Sequence, residues 1–388
     1  MKKDRKILTI LFSIEAFMLV VLLIVTIMTT SPSSDLRKDT DMDSNVPGHF
    51  HNSLYLNYFS ANSSSANSTV VKDAYNYYTF NLTSDGITSN LYTDKTGLTT
   101  GLASSSLSES QITIQAAYKA SAPTILEYGN LRIQNPYLRK NLSLQEVLSE
   151  PLQIKKITGD KETSVIVYHT HTREAYCVTE ADRSNVKASY NESNDNTRNV
   201  VAAGNDICSV LSTNKIGSIH DTTVHYEKWS NGKQVQDCYD SGIHTLRGLL
   251  DKYQEAQLVI DLHRDGVTNP QTDKIRHYTT VRGEDGTEYA QIMLVVGLNY
   301  LNNNEVYTEG DEFNPYWKEN FKLALLVIEK LEEKVPGITR GISLRREAYN
   351  QHLAPNTLLV EMGFDGNLVS EASASSKLLG EVLTEIYS

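Results

Sequence analysis

The 388-residue sequence predicts an α/β protein, a mostly parallel sheet flanked by helices, preceded by a single N-terminal transmembrane helix. Three observations carry this expectation. Four short apolar runs, rich in β-branched residues, end in polar residues or glycine. Amphipathic helical patterns alternate with them, as crossover connections between parallel strands require. The chain also opens on a basic cluster followed by an almost unbroken apolar stretch.

That stretch, Ile7–Met28, holds about 22 residues; at ~1.5 Å each the helix would be about 33 Å long, enough to cross a bilayer core. A cleaved signal peptide has a shorter apolar core of ~7–15 residues and a small-x-small cleavage site. Here "TTSPSS" follows, so residues 1–30 are expected to form a cytoplasmic tip and an uncleaved anchor. Lys2, Lys3, Arg5 and Lys6 precede the span, which places the rest of the chain outside the cytoplasm, in a single-pass membrane protein. Glu15 lies within the span, where a charge costs about 2.5–3.5 kcal/mol. It is expected to be protonated, to snorkel, or to meet another membrane helix.

Residues 31–124 read differently. "SANSSSANST", "NLTSDGITSN" and "GLASSSLSES" favour turns and solvated coil, while the tyrosines of "DAYNYYTFNL" allow short strands. A Ser/Asn/Thr-rich spacer or a small β-rich module is expected there. Residues 125–388 have a globular texture. Strands are expected at "SVIVYH" (164–169), "AQLVIDLH" (256–263), "QIMLVVG" (291–297) and "NTLLVEMGF" (356–364). Helices are expected at "NTRNVVAAGNDICSVLS", which Gly204 interrupts, at "CYDSGIHTLRGLLDKY", at "NPYWKENFKLALLVIEKLEEKV" and at "SEASASSKLLGEVLTEIYS".

Composition removes several function classes. A formal net charge of −11 argues against nucleic acid as a partner, and a charged polymer would have to be gripped locally. Cys177, Cys208 and Cys238 show no CxxC spacing, which argues against a disulfide-stapled domain and a thiolate metal site. The sequence has no HExxH, no GxSxG elbow and no Walker or Rossmann glycine loop.

Chemistry collects at the expected strand ends. His169, His171 and Glu174 follow the first strand, His263 ends the second and Glu361 lies at the end of the last. In a parallel sheet these ends share one rim, where ligands bind. Zinc takes imidazole and carboxylate ligands, and His171 and Glu174 have an H-x-x-E spacing that one turn can close around an ion. His263 would be the third ligand, and Glu361 the base that moves the proton of the attacking water. His169 is a second-shell or alternative ligand, since a strand running on through both histidines would put them on one face. Asp261 and Asp265 flank His263, spaced to orient its imidazole or to hold Arg264. The plain alternative is a polar turn capping a buried strand.

"YHTHTREAY", "DLHRDG" and "NQHLAPNTLLVEMGFDGN" (350–367), in this order, resemble the three hallmark blocks of the stage II sporulation protein P family of membrane-anchored peptidoglycan amidases. The resemblance covers residues 125–388 and the anchor. Arg173 stands where a small hydroxyl residue is usual, and the tail of "EMGFDGN" also departs from the family's wording. The resemblance implies a zinc-dependent cut of the amide joining N-acetylmuramic acid to L-alanine, with peptide-crosslink cleavage as an associated activity. It implies action during forespore engulfment beside stage II sporulation proteins D and M. By correspondence His171, Glu174 and His263 are the ligands and Glu361 the catalytic base. Asn350, Gln351 and His352 are then either substrate-positioning or loop-packing residues. Arg264 either grips a stem-peptide carboxylate or pairs with Asp261 or Asp265. Two rivals stay open: a zinc carboxypeptidase-like peptidase acting on stem peptides, and a catalytically inactive wall-binding scaffold.

Overall fold

The β-branched runs assemble into one eight-stranded mixed sheet in the computed structural model, which describes residues 75–83, 86–92, 124–128, 131–135, 144–160, 162–186, 191–298, 314–345 and 347–388. The first elements are β1 (Tyr75–Thr83), β2 (Gly86–Tyr92), β3 (Thr124–Tyr128), β4 (Leu131–Asn135), α1 (Leu144–Ser149) and β5 (Leu152–Lys155). Then come β6 (Val165–Tyr168), α2 (Val200–Thr213), β7 (Ser218–His220), the hairpin β8 (Lys228–Ser230) and β9 (Lys233–Gln236), and α3 (Cys238–Lys252). The chain continues through β10 (Leu258–Asp265), β11 (Thr280–Arg282), β12 (Glu288–Ala290) and β13 (Ile292–Gly297). It closes with α4 (Trp317–Lys334), β14 (Thr339–Arg345), β15 (Thr357–Phe364) and α5 (Val369–Tyr387).

The main sheet has the order β3-β4-β14-β13-β15-β10-β6-β7. Parallel pairing joins β15 to β10, β10 to β6 and β6 to β7, so the strands expected to carry the site do share a carboxyl rim. The sheet is mixed, however. β13 runs antiparallel to β15, and β3 antiparallel to β4, so the run 291–297 ends on the opposite rim.

Side chains alternate across each strand, and the two faces of this sheet are filled differently. Val165 and Val167 of β6, Leu258, Ile260 and Leu262 of β10, and Leu358, Val360 and Met362 of β15 join one large core with α2, α4 and α5. Each large side chain buried there contributes about 1.5–3 kcal/mol. On the other face Ile166, Tyr168 and Val259 form a small cluster with Leu246 of α3, and Met293, Val295 and Leu359 form another with Tyr349. Between these two apolar patches the same face carries Asp261, His263 and Glu361.

Caps fix where the helices start. Asn199 accepts from the Val201 N–H at the head of α2, and Asp237 forms a capping box with Asp240 at the head of α3.

Two strands from the expected 31–124 segment belong to the same body. β1 pairs with both β2 and β5, and Asn76 and Tyr78 donate to the Ile386 carbonyl of α5, each at 3.3 Å. Among the described residues no helix is long and apolar enough to cross a membrane. The expected span at 7–28, with Glu15, lies outside the described residues.

Candidate metal centre

After Tyr168 the chain leaves the sheet through a turn at 170–173. The Thr170 backbone N–H and hydroxyl both donate to the buried Asp261 carboxylate, at 2.8 and 2.7 Å. This turn separates the two histidines expected to share a face. His169 stays on the α2 side, where its Nδ1 lies 2.8 Å from the Leu262 carbonyl and its Nε2 2.7 Å from His220 Nε2. Gly204 makes room for that pair: a Cβ there would sit 2.5 Å from His220 Nε2. Burial lowers His169 to about 3 and His220 to about 4, so both imidazoles are neutral at pH 7. His171 turns the other way, its ring 5.4 Å from that of Tyr239 on α3.

His171, Glu174 and His263 meet there, each offering one donor atom within 4.8 Å of the others. Glu174 lies between the imidazoles, its Oε1 3.5 Å from His171 Nδ1 and its Oε2 3.4 Å from His263 Nδ1. The turn is closed by the Glu174 N–H donating to the His171 carbonyl at 3.1 Å, and the Arg264 N–H donates to Glu174 Oε2 at 3.0 Å. The far nitrogen of His263 lies 2.9 Å from Asp261 Oδ1. A carboxylate on one ring nitrogen, with the other nitrogen turned to the cluster, is how ligating histidines are commonly oriented.

The electrostatics describe a cage that favours positive charge. Burial alone would lower His263, but Asp261 and Glu174 raise it well above its ordinary range. Burial would likewise raise Glu174, yet His263, hydrogen bonds from both histidines and Arg264 hold it well below the usual carboxylate range. A cation held by these groups would compete with a proton for His263.

Glu361 is the β15 partner of His263 in the parallel register, and the ladder is irregular just beyond, between His263 and Asp265. Its Oε2 is buried with no hydrogen-bond partner. Burial first, then the charge of Asp265, pushes its carboxyl up to about 8. Two imidazoles, a carboxylate and an orphaned acidic oxygen beside them fit the donor set of a catalytic zinc site.

The other sequence candidates separate into support and distance. Arg264 is buried, and its guanidinium donates to the Ala175, Asn191 and Asp265 carbonyls at 3.1, 2.7 and 3.5 Å. It fastens the loop behind Glu174, and among the described residues its guanidinium makes no ion pair with Asp261 or Asp265. Asp265 instead pairs with Arg340 at 2.9 Å, whose guanidinium lies 4.0 Å over the Phe364 ring. Gln351 is buried and clamps β13, accepting from the Gly297 N–H at 2.7 Å and donating to the Val295 carbonyl at 2.8 Å, which is the loop-packing role. Asn350 donates to the Tyr239 carbonyl at 3.2 Å. His352 is lowered to about 4 by burial and by Arg247, two turns along α3 from Tyr239.

The "DGN" tail is likewise structural. Asp365 pairs with Arg276 at 2.7 Å, a Cβ on Gly366 would come within 2.4 Å of the His277 carbonyl, and Asn367 bonds Phe364, Thr279 and Glu371.

Two aromatic residues outside the three sequence blocks also border the site. The Tyr239 ring lies parallel to His263 at 6.2 Å, and Tyr349 meets Tyr239 edge-on at 5.3 Å. Tyr349 and Asn350 both have positive φ, 49° and 58°, so the loop is held in a strained form. The short spacing from the capping residue Asp237 to Tyr239 was the available clue, since it puts the ring on the first turn of α3.

Fold and site define an α/β protein with a His–Glu–His cluster at the carboxyl rim of its parallel strands, flanked by a buried carboxyl. Residues 67–384 match the family model described as Stage II sporulation protein P (SpoIIP), and the chain belongs to that family. Stage II sporulation protein P of Bacillus subtilis (strain 168) is 25% identical over 240 residues, 60% of this chain and 53% of that protein. The chain thus spans about half the length of that curated relative. Among solved structures, the N-acetylmuramoyl-L-alanine amidase AmiC2 of Nostoc punctiforme is similar at 11% identity and a TM-score of 0.34, over 59% of this chain and 97% of that one. The CwlD amidase of Clostridioides difficile, solved in complex with the GerS lipoprotein, is similar at 11% identity and a TM-score of 0.30, over 58% and 95%.

Proposed function

We propose that this chain is a zinc-dependent peptidoglycan amidase of sporulation, cutting the amide between the lactyl group of N-acetylmuramic acid and L-alanine. The observation that carries the reading is the meeting of His171, Glu174 and His263 beside the orphaned Glu361 oxygen. Membership of the SpoIIP family supports the sporulation setting.

His171, Glu174 and His263 would hold the ion, with Asp261 fixing the ring of His263. Zinc bound there supplies Lewis-acid activation of water and of the scissile carbonyl, and its charge favours the carboxylate form of Glu361. Glu361 then takes the proton of the attacking water as oxygen adds to the lactyl carbonyl. It returns that proton to the alanine nitrogen as the C–N bond breaks, which leaves a lactyl carboxylic acid and a free amine. Membrane anchoring through residues 7–28, and partners resembling stage II sporulation proteins D and M, belong to the same reading.

The test is digestion of purified peptidoglycan by the full chain, with products identified by mass. Release of whole stem peptides, abolished by chelator and by Glu361→Gln, is the expected result. Shortened peptides still attached to glycan would point to a carboxypeptidase. Uncut wall in the presence of zinc and partners would leave a scaffold.

A further inference from the structure

Beside the site the chain throws out a hairpin whose make-up the proposed chemistry does not use. β8 and β9 pair antiparallel across Asn231 and Gly232, whose φ values of 52° and 73° suit a two-residue hairpin turn. Every residue from 226 to 235 is exposed. Among the described residues nine large hydrophobic side chains are exposed, and four of them, Val224, Tyr226, Trp229 and Val235, lie in this short stretch. Trp229 is the most open of the nine at 62%. Concentration of this kind marks a contact surface, where scattered exposed residues would not.

The hairpin is tied to the rim of the cluster at both ends. Just before it, buried His225 donates through Nδ1 to the His169 carbonyl at 3.0 Å and keeps Nε2 2.9 Å from the Thr245 hydroxyl. Just after it, Asp237 caps α3 and Tyr239 reaches the site. Arg173, between His171 and Glu174 in the chain, lies 6.0 Å from the Tyr226 ring. A polymer whose amide enters the cluster has to lie across the surfaces that border it.

We infer that this hairpin is a glycan-binding arm, with Trp229 stacking on a sugar ring of the strand whose amide is cut. The inference rests on the amidase reading above. The face of an indole is electron-rich and the C–H face of a pyranose is weakly positive, so the two attract as they exclude water. The Trp229 indole N–H donates to Glu227 at 3.1 Å, which holds the ring in place and reduces the ordering cost of binding. Lys228 and Lys233 outnumber Glu227 on the hairpin, which leaves it one net positive charge in a chain whose net charge is −11 and suits the carboxylates of the stem peptides. This is the local grip an acidic protein needs on a negatively charged wall.

The experiment uses the second tryptophan as a silent control. The chain has two, and Trp317 is only 8% exposed, so fluorescence changes on sugar binding report Trp229. The full-length Glu361→Gln protein is titrated with peptide-free glycan strands, with and without Trp229→Ala. A saturable change that disappears with Trp229→Ala is expected. On intact peptidoglycan, Trp229→Ala with an unaltered Glu361 should lose about tenfold in kcat/KM, equivalent to ~1.4 kcal/mol, while cleavage of a single-sugar muramoyl dipeptide stays within about twofold. No fluorescence change, or an equal loss on both substrates, overturns the arm. Retained glycan binding with loss of a co-purifying protein in Trp229→Ala overturns it in favour of protein docking. Glycan binding through Trp229 in a chain that cuts no amide would keep the arm and remove the amidase reading.

Discussion

Along β10, Leu258, Ile260 and Leu262 enter the large core with α2, α4 and α5, while Val259, Asp261 and His263 point to the side of α3. β15 repeats the division, with Leu358, Val360 and Met362 on one side and Leu359 and Glu361 on the other. One face supplies cohesion, and the other interrupts its apolar cover to hold charged groups. The buried carboxylates and imidazoles of the second face are tolerable because each finds a partner, Asp261 with Thr170 and His263, and Glu174 with two imidazoles and the Arg264 N–H. Of the three carboxylates on this face, Asp261, Glu174 and Glu361, only Glu361 has a buried oxygen without a hydrogen-bond partner, which suits the proton-transfer role proposed for it.

Substitutions should therefore separate stability from chemistry according to face. Glu361→Gln is expected to lower kcat by about 10²–10⁴-fold and leave the unfolding midpoint in urea unchanged. A large loss of stability in that variant would break the comparison. Ile260→Ala, three residues from His263 but facing the other way, is expected to destabilise by about 2–5 kcal/mol. Activity per folded molecule should persist, measured below the unfolding transition. Asp261→Asn should weaken zinc binding by about 10–100-fold by releasing His263, as read by competition with a chromophoric chelator.

The smallest effect concerns pH. His169 and His220 are held at about 3 and 4, against an ordinary 6.5, by burial on the α2 side. Below pH 6.5 the unfolded chain takes up protons that the folded chain refuses, so stability present above that value falls as pH approaches 4. In urea titrations at pH 7 and pH 4.5, His220→Gln should lose less stability than wild type; parallel losses would show that the pair does not matter.

The sequence made the strands legible because their apolar runs are short, β-branched and bounded by polar residues. It also placed His171, Glu174, His263 and Glu361 at strand ends, from which a shared rim followed. Strand direction was not legible: nothing in "QIMLVVG" says that β13 runs against β15. The position of His169 depended on where β6 stops, and that is set by Thr170 bonding to Asp261, a contact across 91 residues. For Arg264 and Gln351 the sequence left substrate contact and structural packing equally open, because a charged or amide side chain near a site can serve either. Both are consumed by backbone carbonyls and N–H groups that only the packed fold brings near. Nothing local in the sequence ties the β8–β9 hairpin to the site.

Three side chains, from a turn and a strand end, are proposed to bind one metal ion. Zinc content per full-length chain, measured after equilibration and removal of excess metal, tests it directly. One equivalent is predicted for wild type and for Glu361→Gln, and none for His171→Ala or His263→Ala. A full equivalent retained in either histidine variant, or no zinc in wild type, would contradict the account.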